Sequence, residues 1–145
     1  MGKAHKILIG FFVVLAVIIL SFYIIYFQKL NHNDNLACNP SMYSAKIINE
    51  SFSKLGVVFY YGSTCPHCKV VEDFMDKNNI DAKINLTRKE VFSNKSNLPE
   101  FLSVDEYCNI PEQYKGSVPV LYTNNSCYLG SDDIICTLKI LAGVK

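Results

Sequence analysis

The sequence predicts an α/β domain that follows a single membrane-spanning helix. Three observations lead to this prediction. An uncharged apolar run extends from Ile7 to Phe27, and segments with strand-like and helix-like hydrophobic patterns alternate in the rest of the chain. One of the strand patterns ends shortly before Cys65-Pro66-His67-Cys68, and this motif opens a helical pattern.

Length and charge limit the classes of function. The chain has 145 residues, with 14 lysine and arginine residues against 13 aspartate and glutamate residues. This length leaves room for one small domain beside the apolar run. The balanced charge gives no indication of nucleic-acid binding.

The apolar run between Ile7 and Phe27 is long enough to cross a membrane. A helix of this length extends about 30 Å, which matches the hydrocarbon core of a bilayer. Lys3 and Lys6 precede the run, and this positive-inside bias predicts a cytoplasmic N-terminus and an extracytoplasmic remainder. A cleaved signal peptide and a buried core helix are the alternatives to this signal-anchor.

The predicted chain therefore has four parts. Residues 1–6 form the cytoplasmic N-terminus, residues 7–27 the transmembrane anchor, residues 28–40 a polar, asparagine-rich linker, and residues 41–145 the folded domain. The predicted location is a membrane that the chain crosses once. Its domain then faces a periplasm, a cell surface or a lumen.

The first half of the domain is predicted to contain two helices and two strands. Apolar residues recur at helical spacing in the helices, are nearly continuous in the first strand, and alternate with polar residues in the second. In chain order, these elements are a helix from Ser41, its N-cap, to about Gly56, a strand over Leu55–Tyr61, a helix from the cysteine motif to Asn78-Asn79, and a strand over Ile80–Leu86.

The second half is predicted to contain three helices and two strands. Pro99 suits the first turn of a helix, Asn124-Asn125 is typical of a hairpin turn, and Ser131 is a suitable N-cap. In chain order, the elements are a short helix opened by a capping box at Thr87-Arg88-Lys89-Glu90, a helix from Leu98 to about Cys108, strands over Gly116–Tyr122 and Ser126–Leu129, and a closing helix over Ser131–Ala142.

The motif Cys65-Pro66-His67-Cys68 is typical of a thiol redox site. A helix N-terminus offers unpaired N–H groups and the positive end of the helix dipole, and both favour a thiolate at Cys65. Pro66 suits the first helical position because its missing N–H is not needed there. His67 is predicted to add a hydrogen-bond donor near the Cys65 sulfur.

The order of the elements around this motif resembles the thioredoxin fold, in which a central mixed sheet is flanked by helices. Val118-Pro119 matches the cis-proline that faces the redox pair in that superfamily, and the CPHC motif is similar to that of DsbA-type disulfide oxidases. The resemblance covers about residues 41–145. It implies that Cys65 is exposed and attacking, that Cys68 resolves from beneath, and that Val118 and Pro119 bind an extended substrate segment.

The chain departs from the DsbA pattern in two ways. Only about fifty residues separate Cys68 from Pro119, too few for the helical insertion of DsbA-type proteins. The expected architecture is therefore nearer to a bare thioredoxin or glutaredoxin. Phe59 also occupies the position, six residues before the attacking cysteine, where these proteins usually have a buried acid.

Four further cysteines, Cys38, Cys108, Cys127 and Cys136, are candidates for structural disulfides. Three pairings are open. Proximity in sequence favours Cys127 with Cys136, which leaves Cys38 with Cys108, whereas helical phase argues against that pairing because Cys136 lies opposite the apolar face of the closing helix. As alternatives, Cys127 is a small buried hydrophobe, or Cys108 relays electrons to the redox pair.

The predicted function is a thiol–disulfide oxidoreductase that acts on client proteins. The oxidase direction is favoured because a stabilised thiolate makes the pair more oxidising, and a membrane redox partner would then recycle the dithiol. No organic cofactor is implied, and no metal ion is expected because a second Cys or His pair for zinc is missing from the sequence. The alternatives are a reductase of the same fold, a non-catalytic peptide-binding module and a metal carrier.

Overall fold

The computed structural model describes residues 15–24, 38–45 and 50–144. The chain divides into two compact units, Met1–Ala37 and Cys38–Lys145. In the first unit residues 15–24 are helical, and the remainder of the anchor predicted over residues 7–27 lies outside the described residues. Within the described part of the chain, the helices fall short of the length and apolar character that a membrane crossing requires.

The second unit is built on a five-stranded mixed sheet with the order β1-β5-β4-β2-β3. The central strand β2 pairs in parallel with β3 and antiparallel with β4, while β5 is antiparallel to both of its neighbours. The strands are β1 (Tyr43–Ser44), β2 (Val57–Tyr61), β3 (Leu86–Glu90), β4 (Val120–Thr123) and β5 (Ser126–Leu129).

Helices cover both faces of this sheet. Along β2 the side chains alternate, so that Val58 and Tyr60 enter one buried cluster with helix α4, and Phe59 enters another with α2 and α5. This confirms the prediction of a central strand buried on both faces. The helices are α1 (Glu50–Ser53), α2 (Pro66–Asn78), α3 (Ile80–Ile84), α4 (Leu98–Tyr107) and α5 (Ser131–Ala142), with 3₁₀ turns at Lys95–Asn97 and Glu112–Tyr114.

The segment between α2 and α4 differs from its prediction. The strand expected over Ile80–Leu86 is helix α3, and the capping box at Thr87–Glu90 belongs to strand β3. Two left-handed residues, Asn79 and Asn85, bound the short helix and turn the chain at each end. Five residues of β3 then pair with β2, and this tertiary pairing outweighs the local helix signal.

The guanidinium of Arg88 holds these neighbouring elements together. It bonds to Asp76 of α2 at 2.6 Å and to Asp81 of α3 at 2.5 and 3.1 Å. Because Arg88 lies on β3, the pairs fix the strand against both helices. No sequence pattern predicts this contact, since the three residues belong to three different elements.

The predictions for two helix N-caps are also wrong. Ser41 does not cap a helix, because Tyr43–Ser44 forms strand β1 and pairs with β5. The next described helix, α1, covers Glu50–Ser53. Residues 46–49 lie outside the described residues. Ser131 is the first residue of α5 rather than its cap. Gly130 occupies the N-cap with φ 80°, a backbone angle that glycine adopts without steric cost.

Other local signals are confirmed. Pro99 lies in the first turn of α4, and α5 covers the predicted residues. Asn124 and Asn125 both have positive φ and join β4 to β5 in a tight hairpin. The third predicted strand is shorter than expected, since β4 begins at Val120, after the proline.

The disulfides pair Cys38 with Cys136 and Cys108 with Cys127. The predicted pairings of Cys127 with Cys136 and of Cys38 with Cys108 are therefore wrong, and Cys108 is in a disulfide with Cys127 rather than free to relay electrons. The argument from helical phase agrees with this result, because Cys136 is outside the apolar cluster that Ile134 and Leu138 join, and it is bonded to Cys38. Cys108 and Cys127 are both buried, and they join the end of α4 to the sheet.

Candidate redox site

Cys65 occupies the N-cap of helix α2. Its backbone is extended, with φ −85° and ψ 116°, and its sulfur accepts a hydrogen bond from the Cys68 N–H at 3.3 Å. Pro66 takes the first helical position, as the sequence predicts. The sulfur of Cys65 therefore receives one of the N–H groups that a helix N-terminus leaves unpaired, in a residue that is only partly buried.

Cys68 lies one turn further into the helix and is completely buried. Burial raises the pKa of its thiol to about 12, and the hydrogen bond with Cys65 acts in the same direction. At neutral pH Cys68 is therefore a protonated thiol. Of the two sulfurs, Cys65 is the one that a partner molecule can reach.

The peptide bond between Val118 and Pro119 is cis, and it lies opposite the motif. The thiol of Cys65 donates to the Val118 carbonyl at 3.6 Å, across 53 residues of sequence. The structure thus brings together the two cysteines of the motif and the Val118-Pro119 segment that the sequence analysis singled out. Strand β4 begins one residue later and holds this segment against β2.

His67 is exposed and lies at the rim of a groove that also includes Pro119. Among the described residues, His67 makes no hydrogen bond with either sulfur of the motif. The predicted donor to Cys65 is supplied instead by the Cys68 backbone. His67 therefore faces whatever occupies the groove.

Glu90, at the end of β3, holds the loop before the motif. Its carboxylate accepts backbone N–H groups from Ser63, Phe92, Ser93 and Asn94 at 2.6–3.1 Å. The hydrogen bond from Asn94 contributes most, and together these bonds lower the pKa of Glu90 to about 2. Sequence reasoning missed this role because it assigned Glu90 to a helix N-terminus.

Gly62 lies between this loop and strand β2. A Cβ atom at this position would come within 2.4 Å of the Phe92 ring. Because the ring covers the glycine closely, only glycine fits there without displacing the ring of Phe92. The approach to Cys65 is thus fixed from two sides, by the Glu90 carboxylate and by the Phe92 ring.

Phe59 occupies the position where thioredoxins and DsbA-type proteins usually have a buried acid. It is fully buried, and its ring stacks on Tyr61 with centroids 5.7 Å apart. Among the described residues, the buried carboxyl group lies elsewhere, at Asp105 on α4, which is 1% exposed. Asp105 accepts the Gly116 N–H at 2.7 Å and so fixes the segment that leads to the cis-proline.

The other Asp105 oxygen, Oδ1, has no hydrogen-bond partner among the described residues. Burial raises the pKa of this carboxyl group to about 6, although the Gly116 N–H acts against the shift. Sequence reasoning did not identify Asp105, because a single aspartate in an amphipathic helix reads as a solvated residue. Only the packing of α4 against the sheet shows that it is buried.

The described residues contain no group of three His, Cys, Asp or Glu side chains arranged to hold a metal ion. The sheet, its flanking helices and the cis-proline opposite a CxxC motif fit the thioredoxin-like fold. A dithiol in this arrangement is chemically able to undergo thiol–disulfide exchange.

Comparison with known proteins adds little to this geometry. No family model matches the chain, and no curated protein matches it. A solved structure that is similar is the glutaredoxin Grx-1 from Archaeoglobus fulgidus, with 24% identity over 66% of this chain and 96% of that chain, at a TM-score of 0.43. Because the TM-score and the sequence identity are low, the assignment of the fold depends on the topology described above.

Proposed function

We propose that this chain is a membrane-anchored, extracytoplasmic thiol–disulfide oxidoreductase that acts on protein thiols and disulfides and works mainly as an oxidase. The position of the Cys65 sulfur carries the proposal. It is accessible, lies between the Cys68 N–H and the Val118 carbonyl, and has the buried Cys68 thiol behind it. Such a pair can exchange disulfides with a client one sulfur at a time.

The proposed reaction starts from the oxidised Cys65–Cys68 pair. A client thiolate attacks the Cys65 sulfur, the Cys65–Cys68 bond breaks, and Cys68 leaves as a thiolate that takes up a proton. A second client thiolate then attacks the client sulfur of the mixed disulfide, and Cys65 leaves. The client has lost two electrons to form a disulfide, and the protein pair has gained them. In reverse, the same steps describe a reductase.

The oxidase direction is proposed from the surroundings of Cys65. The Cys65 sulfur accepts an N–H at 3.3 Å at the N-terminal end of α2, and helix N-termini in general favour a negatively charged group. A stabilised thiolate favours the reduced dithiol and makes the disulfide more oxidising. A dithiol that works in this direction needs an electron acceptor, and we propose a redox protein in the same membrane as the recycling partner.

The proposed location is supported by the two further disulfides. Cys38–Cys136 and Cys108–Cys127 both lie within the folded unit, and structural disulfides are typical of oxidising compartments outside the cytosol. The apolar run over residues 7–27, preceded by two lysines, would place the domain on that side of the membrane.

The proposal is tested by trapping clients. Substitution of Cys68→Ser removes the sulfur that resolves a mixed disulfide from within, so the amount of client bound to Cys65 should rise by about tenfold or more over wild type. The complexes are measured as bands on non-reducing gels that disappear on reduction. The control is Cys65→Ser in the same background, which should trap nothing.

A chain that traps no client, and binds a metal ion in one-to-one ratio, would be a carrier rather than an oxidoreductase. The reduction potential of the pair decides the direction. A value close to about −120 mV, as in DsbA, supports an oxidase, and one close to about −270 mV, as in thioredoxin, supports a reductase.

A further inference from the structure

A groove runs from the redox site to the start of helix α5. Its cavity volume is about 590 Å³, within the range of ligand-binding sites. One part of the lining is aromatic or apolar, and the other part lies at the N-terminal turn of α5. The apolar part consists of Tyr43, Tyr114, Val118, Pro119 and Leu129. We call this cavity the cis-proline groove.

The cis-proline groove is continuous with the reactive sulfur. Val118, whose carbonyl lies 3.6 Å from the Cys65 sulfur, contributes to its lining, and His67 of the motif lies at its rim. A client segment joined to Cys65 by a disulfide therefore has its neighbouring residues beside Val118 and Pro119. The groove is the concave surface available to them, and it is lined by apolar side chains that suit a polypeptide.

The side of the groove that the start of α5 forms is acidic. Asp132 and Asp133 line it, whereas none of its described lining residues is a lysine or an arginine. The ion pairs of the described residues involve other carboxylates, so Asp132 and Asp133 have no cationic partner there. The hydroxyl of Ser131 donates to Asp132 at 3.4 Å, which leaves both charges in place.

A structural role for these carboxylates is also consistent with their position. Acidic side chains in the first turn of a helix interact favourably with the helix dipole. That role predicts a loss of stability when they are neutralised, but no change in which client reacts. A role in client selection is favoured by the groove, because Asp132 and Asp133 line the same groove as Val118 and Pro119, next to which a segment bound at Cys65 would lie.

We propose that Asp132 and Asp133 make the cis-proline groove selective for client segments that carry lysine or arginine a few residues from the reacting cysteine. The inference rests on the proposed function, since it names the class of client for the same site. Attraction between opposite charges raises the rate of encounter and stabilises the mixed disulfide, and both effects weaken as salt is added.

The test uses the full chain with Cys68→Ser and synthetic peptides that contain one cysteine. Each peptide cysteine is joined by a disulfide to 5-thio-2-nitrobenzoate. The Cys65 thiolate attacks the peptide sulfur, the Cys65–peptide disulfide forms, and thionitrobenzoate leaves as a coloured thiolate, so one thiolate is consumed and one released. Matched peptides carry lysine, alanine or glutamate at each position from two to five residues on either side of the cysteine.

We expect the best lysine peptide to react about three- to tenfold faster than its glutamate counterpart at low salt. This ratio should fall to about one with Asp132→Asn and Asp133→Asn together, and it should also fall in 0.5 M salt. The control is Glu106→Gln with Glu112→Gln, which changes the net charge equally at two exposed residues outside the groove. That control should keep the preference for lysine.

Two results would overturn the inference. One is an equal rate for lysine and glutamate peptides at every position, and the other is a preference that survives in the Asp132 and Asp133 variant. Failure of the proposed function looks different, because no peptide would then form a disulfide with Cys65. Circular dichroism of each variant checks that the helix beginning at Ser131 is still formed.

Discussion

Asp105 is a residue whose burial has a consequence for stability. Its carboxyl group is 1% exposed, one oxygen accepts the Gly116 N–H, and Oδ1 has no partner among the described residues. Its pKa is raised from 3.8 to about 6, chiefly by burial. The folded protein therefore holds a proton between about pH 4 and pH 6 that the unfolded chain has released.

The sign of the effect follows from this difference. Where the folded state binds more protons, the free energy of unfolding falls as pH rises, so stability is lost between about pH 4 and pH 6 and stays lower above that range. A shift of this size corresponds to on the order of 2–3 kcal/mol. Asp105→Asn keeps an acceptor for Gly116 and removes the titration.

We expect the Asp105→Asn variant to show a flatter dependence of unfolding free energy on pH in this window, measured by urea denaturation at intervals from pH 4 to pH 8. Asp73→Asn is the control, since it removes an exposed carboxylate that pairs only with Lys69. Curves for wild type and Asp105→Asn that decline in parallel would show that another group titrates.

At the level of single elements, β1 depends on contacts beyond its own length. It contains only Tyr43 and Ser44, which pair with Cys127 and Ser126 of β5, and the next residue, Ala45, donates to the Asn125 carbonyl at 3.1 Å. So short a strand is marginal alone. Cys38 lies five residues before Tyr43, and its disulfide with Cys136 links the same segment to α5.

Removal of this disulfide should loosen β1 and one wall of the cis-proline groove. With Cys38→Ser and Cys136→Ser we expect a loss of about 2–5 kcal/mol in unfolding free energy, because the bond links residues 98 apart in sequence. Amide hydrogen exchange at Tyr43 and Ala45 should become faster. Both measurements use a Cys65→Ser, Cys68→Ser background, so that the thiols cannot reshuffle.

The control removes the other disulfide by Cys108→Ala and Cys127→Ala. That bond spans 19 residues inside the core, so its loss should lower global stability by about 2–4 kcal/mol and affect exchange throughout the sheet. Unchanged exchange at Tyr43 and Ala45 after loss of Cys38–Cys136 would mean that strand pairing alone holds β1.

For the whole molecule, the sequence predicted the parts of the fold that local chemistry determines. Proline at a first helical turn, paired asparagines in a hairpin, and a cysteine at an N-cap each act over a few residues. Predictions failed where distant contacts decide, as at Thr87–Glu90, where pairing with β2 overrides a capping-box pattern.

In the candidate site, too, residues with a local sequence signal were predicted, and residues that depend on distant contacts were not. The motif and its spacing predict Cys65, Cys68 and Pro119 as site residues, and the fold brings their segments together. Glu90 and Asp105 were not found, because neither a carboxylate that accepts four backbone N–H groups nor a buried aspartate has a sequence signature. The disulfide pairs likewise depend on which elements become neighbours.

Membrane anchoring is the prediction that concerns the entire chain. The full chain should remain with membranes in alkaline carbonate, whereas a chain that begins at Asn31 and lacks the apolar run should be released. In intact cells, a membrane-impermeant thiol reagent should label Cys65 after mild reduction. Labelling that requires permeabilised cells would place the domain on the opposite side of the membrane.

The Cys38–Cys136 disulfide has a mechanical consequence for a domain held by its N-terminal side. Tension transmitted along the chain reaches Cys38 first and passes through the covalent bond to α5, a twelve-residue helix packed on the sheet. The two-residue strand β1 follows this bond in the chain and is therefore shielded from the pull. A tether can thus pull on the protein without detaching the edge strand that lines the cis-proline groove.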